Sequence, residues 1–333
     1  MVKIKDDSIS SAFINYNNSE KVYYHHLNLD YKQNSYVGFT LKKLKRELNE
    51  EVVLETNEIG LRCPELNLIK SCDAILLGGS VAFSIYARSE NDTIAKLTEK
   101  ISNKKIINCG VPGHVFKQHV SLYFNYLKNI KTDNIIIMFG FNDMANCFMG
   151  RDYAGITNEH FTTKSQLLYD EPVKSSAKTI FLEIFNFFGF KKYIFSKILK
   201  KKLLKRNEKI EDINSVIDIY LNDIKKEIIF FQNFCDKFNI KLNLILQPSL
   251  YVTKKKFSTY EKKRFDEWNL LPNRKSYAEN FYKKIDYLLS NFNFYYNFSN
   301  CFDSENDTIF LDECHYGDRG NLIVSDLLSK ILK

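Results

Sequence analysis

Residues 73–79 read DAILLGG, 105–110 read KIINCG and 134–140 read NIIIMFG. Each is a short, unbroken apolar run that closes on glycine, the pattern of a strand buried on both faces of a parallel sheet. Between the first two, 89–102 sets Ile94, Leu97, Thr98 and Ile101 at helical spacing behind Ser89, a capping residue type. Between the second and third, 117–130 reads as another helix. Three strand-and-helix steps in about seventy residues predict a doubly wound α/β sheet.

Working outward, residues 1–70 are polar and mixed and read as an N-terminal extension packing on the core. They hold a charged stretch, LKKLKRELNEE (41–51), that predicts a helix, followed by VVLETNEIGLR (52–62), a strand and a turn. On the other side, 150–239 offers no buried strand, and ninety residues are too many for a structureless loop. It reads as a helical insertion or lid with a long helix over 212–238. The sheet resumes with IKLNLILQ (240–247), ended by Pro248, then a helix over 274–290, a strand FNFYYNF (292–298) and a last helix over 318–332. The core domain is thus expected over 71–149 and 240–333.

Composition closes several alternatives. With 44% apolar and 26% charged residues among 333, the chain has ordinary globular usage, so disorder and coiled coil are poor readings. The most apolar stretch, 180–190, is broken by Glu183 and Asn186 and is too short to span a bilayer. The opening MVKIKDDSIS lacks the apolar run of a secretory signal, and seven cysteines without a CxxC pair fit a reducing compartment. A cytoplasmic protein is expected. No P-loop, HExxH or spaced Cys/His set occurs, so neither a cofactor nor a metal is expected, and no nucleic-acid-binding pattern occurs either.

The net charge of +8 is concentrated. Residues 174–209 carry 11 Lys or Arg against 2 Glu, interleaved with Phe, Ile and Leu. Such a piece either lies on an anionic membrane surface or polymer, or packs its aromatics inward and exposes its lysines.

In a doubly wound sheet the working residues sit on loops leaving the C-terminal strand ends. Those loops are GGS (78–80), CGVPG (109–113), GFND (140–143) and, after the last strand, DECHYGDRG (312–320), and they hold seven of the 12 glycines. Ser80 stands where a buried strand turns into a helix and is either a nucleophile or a turn serine. His315 is the candidate base, with Asp312 one turn earlier to fix its tautomer, unless the two are an ordinary surface pair. His25, His26, His114, His119 and His160 lack a carboxylate so placed at the end of a core element. Backbone N–H groups of Gly110 and Ser80 and the Asn142 side chain are candidate donors to an oxyanion; otherwise Gly110 and Asn142 are turn residues.

Taken together, four loops carry in one chain order the residues of a single reaction, and here the sequence resembles the SGNH (GDSL-type) hydrolases. The matching blocks are LLGGSVAFS with Ser80, NCGVPG with Gly110, GFND with Asn142 and DECH with Asp312 and His315. TNEIGLR (56–62) and LQPSLY (246–251) resemble segments of bacterial members linked to surface polysaccharide. The resemblance implies a three-layer α/β/α flavodoxin-like sandwich and a Ser-His-Asp mechanism. Gly79 departs from it, standing where the family has the Asp of G-D-S. The expected function is a serine esterase removing a small acyl group, acetyl, from a carbohydrate or related hydroxyl through an acyl-serine, with His114, Phe141 and Gln247 near the substrate. Two alternatives are an O-acyltransferase acting on a glycan with the same triad and a non-catalytic binding protein using the basic insertion. Gly78-x-Ser80-x-Ala82 also approaches the nucleophile elbow of α/β-hydrolases, in which GFND has no role.

Overall fold

A computed structural model describes residues 11–13, 29–48, 51–148, 213–268 and 274–333. Two antiparallel hairpins come first: β1 (Tyr31–Asn34) with β2 (Gly38–Leu41), and β3 (Leu44–Leu48) with β4 (Glu51–Thr56). The helix expected over 41–51 is therefore a hairpin. Leu44 and Arg46 are half-buried while Lys45 and Glu47 are exposed, a period of two that a pattern of leucines at 41, 44 and 48 disguises as a helical one.

The core sheet follows, made of β5 (Ser71–Gly78), β6 (Ile106–Asn108), β7 (Lys131–Phe139), β8 (Lys241–Leu246) and β9 (Tyr295–Asn297). All four pairings are parallel, in the order β6-β5-β7-β8-β9. Numbered within the sheet this is 2-1-3-4-5, the flavodoxin-like winding, whose strand order reverses at β5. Ile75, Leu77, Ile135, Ile136, Ile137, Leu244 and Ile245 are completely buried, as strands covered on both faces must be. The last strand is shorter than 292–298, because Phe292 and Phe294 stack on each other ahead of it in a turn.

Helices flank the sheet: α1 (Ser80–Phe83), α2 (Ile94–Ser102), α3 (Phe116–Leu122), α4 (Phe141–Phe148), α5 (Ile213–Lys237), α6 (Thr259–Trp268), α7 (Arg274–Leu289) and α8 (Asp318–Ile331). α2 packs on α8, while α5 packs on α3, α4, α7 and β8. Thr93, not Ser89, caps α2, its hydroxyl accepting from the Lys96 N–H at 3.3 Å. Ser89 instead opens a short turn over 90–92.

One boundary moves. α5 buries Ile217, Tyr220, Leu221, Ile224, Ile228, Phe231 and Cys235 in the main core. It is a layer of the sandwich, not part of an insertion, so the core resumes at 213 and not at 240. The basic stretch 174–209 lies outside the described residues. Among the described residues no helix is long and apolar enough to cross a membrane.

Candidate active site

Gly78 ends β5, and Ser80 is the first residue of α1. A first helical residue has no intrahelical acceptor for its N–H. Ser84 closes the turn in the left-handed region at φ 59°. Two side chains hold this turn from outside. The Asn108 amide donates to the Ala82 carbonyl at 2.9 Å. Arg62, buried to 4% exposure, donates to the Phe83 and Ser84 carbonyls at 2.9 Å each and to the Val53 carbonyl at 2.8 Å. Its Nε pairs with Glu90 at 2.9 Å.

Asp312 and His315 come from the loop between β9 and α8. That loop closes on itself through the Leu311 N–H to the His315 carbonyl at 2.8 Å. Behind it, one Glu261 oxygen accepts from the N–H groups of Ile309 and Phe310, both at 3.0 Å. The other is paired at 2.6 Å with Lys255, both side chains being fully buried. A buried carboxylate is tolerable only with its charge and lone pairs satisfied in this way.

These frames bring Ser80 and His315, 235 residues apart, into contact: Ser80 Oγ lies 2.5 Å from His315 Nε2. On the far side of the ring, His315 Nδ1 lies 2.7 Å from Asp312 Oδ2. A carboxylate only accepts, so Nδ1 carries the proton and Nε2 is left to accept from the serine. Burial pushes the Asp312 carboxyl up, but the neighbouring His315 and the N–H groups of Cys314 and His315 outweigh it and hold it down at about 2. Asp312 therefore stays ionised at neutral pH. The arrangement is a hydroxyl, an imidazole and a carboxylate in hydrogen-bonded series, groups that can act as nucleophile, base and orienting partner.

The Asn142 amide donates one N–H to the His114 carbonyl at 2.8 Å, which leaves its second N–H to serve an oxyanion. A Cβ on Gly79 would lie 2.5 Å from that same amide nitrogen. The departure from G-D-S thus leaves room that the Asn142 side chain takes up. The donor expected at Gly110 is corrected. Its N–H is given to the Asn108 side chain at 3.0 Å, and a Cβ there would lie 2.5 Å from the Phe83 nitrogen. Gly110 permits close approach of the nucleophile turn and supplies no donor. Gly113, half-buried at the same loop, has an N–H without a partner among the described residues.

The residues expected near substrate are also placed differently. His114 is 1% exposed, its Nε2 donating to the Phe39 carbonyl at 2.8 Å, and burial pushes it down to about 4. Only its backbone carbonyl reaches the site. Phe141 and Gln247 are buried at 7% and 4%, Phe141 within the main core. Asp143, quoted in GFND without a role, joins two site loops by accepting from the Phe116 N–H at 3.0 Å and the Gly140 N–H at 3.2 Å. Burial pushes its carboxyl up to about 6, against the opposing pull of those bonds.

Asp312, Cys314 and His315 gather donor atoms within 4.8 Å, a spacing a metal ion can use. Both imidazole nitrogens are already engaged, however, and burial pushes the Cys314 thiol well above its ordinary value. A thiol held protonated is a poor ligand, so the group fits proton transfer better than metal binding.

No family model and no curated protein matches the chain. Among solved structures, it is similar to a GDSL-like lipase from Bacteroides thetaiotaomicron, at 12% identity over 79% of this chain and 87% of that one, with a TM-score of 0.39. A variant of a Geobacillus acetyl-xylooligosaccharide esterase aligns at 11% identity over 78% of this chain and 94% of that one, with a TM-score of 0.42. An acetyl xylan esterase aligns at 13% over 78% and 100%, with a TM-score of 0.38. Likenesses this distant decide nothing about activity; the contacts around Ser80 have to.

Proposed function

We propose that the chain is a serine esterase of the SGNH type, and the observation that carries this is the Ser80–His315–Asp312 series with its 2.5 Å and 2.7 Å contacts. Ser80 Oγ attacks an ester carbonyl while His315 Nε2 takes its proton. Asp312 holds the ring and stabilises the imidazolium. The oxyanion is met by the N–H groups of Ser80 and Gly113 and by the Asn142 amide. His315 then protonates the leaving alcohol, and water, activated by the same base, releases the acid.

The acyl group is taken to be small, acetyl, and the alcohol a carbohydrate or related hydroxyl. Support for a small group is that Ser80 is only 8% exposed. An aryl acetate assay of wild type against Ser80→Ala tests the reading, with longer acyl esters as a second series. Turnover lost by at least about a thousandfold in Ser80→Ala, and falling with chain length in wild type, is expected. Equal turnover in the two proteins overturns it.

A further inference from the structure

Asp312 has two oxygens, and they are held by different means. Oδ1 accepts from the backbone N–H groups of Cys314 at 3.0 Å and His315 at 2.9 Å, both within its own loop, and also lies 2.9 Å from His315 Nδ1. Oδ2, the oxygen nearer His315 Nδ1, accepts one further bond, from the Tyr86 hydroxyl at 3.1 Å. Tyr86 belongs to the other half of the site. It lies three residues beyond α1, in a chain that has just turned at Ser84, and it is 3% exposed. Its ring also meets the His315 imidazole edge to face, with centroids 5.6 Å apart and planes at 82°. One side chain thus touches both the acid and the base from the nucleophile's own segment.

Two residues on, that segment is fastened again. Arg88 donates through Nη2 at 2.7 Å and Nε at 3.0 Å to the fully buried Asp318 at the start of α8. The span 86–88 is therefore a strut between the turn that carries Ser80 and the loop that carries Asp312 and His315. Without the tyrosine hydroxyl, Oδ2 loses the bond that fixes it from outside the loop, and the carboxylate is free to turn from the shorter Oδ2 contact with Nδ1 toward the longer Oδ1 one.

We propose that Tyr86 is a positioning residue for the catalytic acid: its hydroxyl locks the Asp312 carboxylate in the plane that orients His315 toward Ser80. This rests on the esterase reading above. It predicts more than stability, since a residue acting through Asp312 has no effect once Asp312 cannot do its work.

The test is Tyr86→Phe, which removes one oxygen, together with Asp312→Asn and the double variant. In the active enzyme, Tyr86→Phe is expected to lower kcat for an aryl acetate about tenfold with KM unchanged. The double variant is expected to be no slower than Asp312→Asn alone. In the unliganded protein, the far-downfield proton resonance of His315 Nδ1, assigned by its absence in His315→Gln, is expected to shift or broaden in Tyr86→Phe. Additive losses in the double variant, or an unaltered resonance, overturn the proposal. An inactive wild type would instead overturn the esterase reading, and the resonance would still decide the role of Tyr86.

Discussion

At the scale of single residues, the site separates groups that react from groups that make room. Asn142 spends one amide proton on the His114 carbonyl and keeps the other; Gly110 spends its only one on Asn108. Removing one oxyanion donor costs about 3 kcal/mol of barrier. Asn142→Ala is accordingly expected to lower kcat for an aryl acetate by about a hundredfold with little change in melting temperature, measured by steady-state kinetics beside a thermal melt. A change confined to KM would contradict the donor role. That Ser80, Asp312 and His315 would meet was legible in the sequence, because the proposed roles each demand a residue type on a loop leaving a strand end. The choice between Gly110 and Gly113 was not. Both lie in NCGVPG, and only the folded position of the Asn108 side chain tells which N–H is already taken. Tyr86 was equally hidden, since nothing in IYAR (85–88) marks a tyrosine that folds back on an aspartate 226 residues away.

At the scale of elements, α1 is a four-residue helix, too short to hold its own shape. It depends on neighbours, chiefly Arg62 from the turn after β4, which caps the Phe83 and Ser84 carbonyls. Arg62→Ala leaves those acceptors and the Val53 carbonyl without their donor and takes the partner from Glu90. It is expected to cost roughly 3 kcal/mol of stability and to slow acylation as well. Urea unfolding and the rate of the first turnover check the two effects; a stable variant with full activity would show that α1 holds itself. TNEIGLR was readable as a turn, but not as the support of the nucleophile, because that contact spans two sheets. The 44–56 hairpin was misread for the opposite reason. Its first strand is half-exposed, so the leucines there suit both periods until β3 pairs with β4.

For the whole molecule, the parallel sheet was the most legible feature. Strands covered on both faces admit little but Ile, Leu, Val and their like, so β5, β7 and β8 announce themselves without reference to partners. The extent of the sandwich was not so plain, since α5 follows a long stretch without strands and reads from sequence as part of an insertion until its apolar face meets the core. The supports behind the triad loop, a buried Lys255–Glu261 pair and the Tyr260 hydroxyl on the Leu311 carbonyl at 3.0 Å, come from a helix and loop that the strand pattern does not signal. All of these serve one outcome, a serine on one loop meeting a histidine on another. The most direct measurement of it is the intact mass of the protein after incubation with a fluorophosphonate, followed by mapping of the labelled peptide. The account predicts a single adduct on the peptide containing Ser80, absent in Ser80→Ala and slowed by orders of magnitude in His315→Gln. An unlabelled wild type, or an adduct that persists in Ser80→Ala, would contradict it.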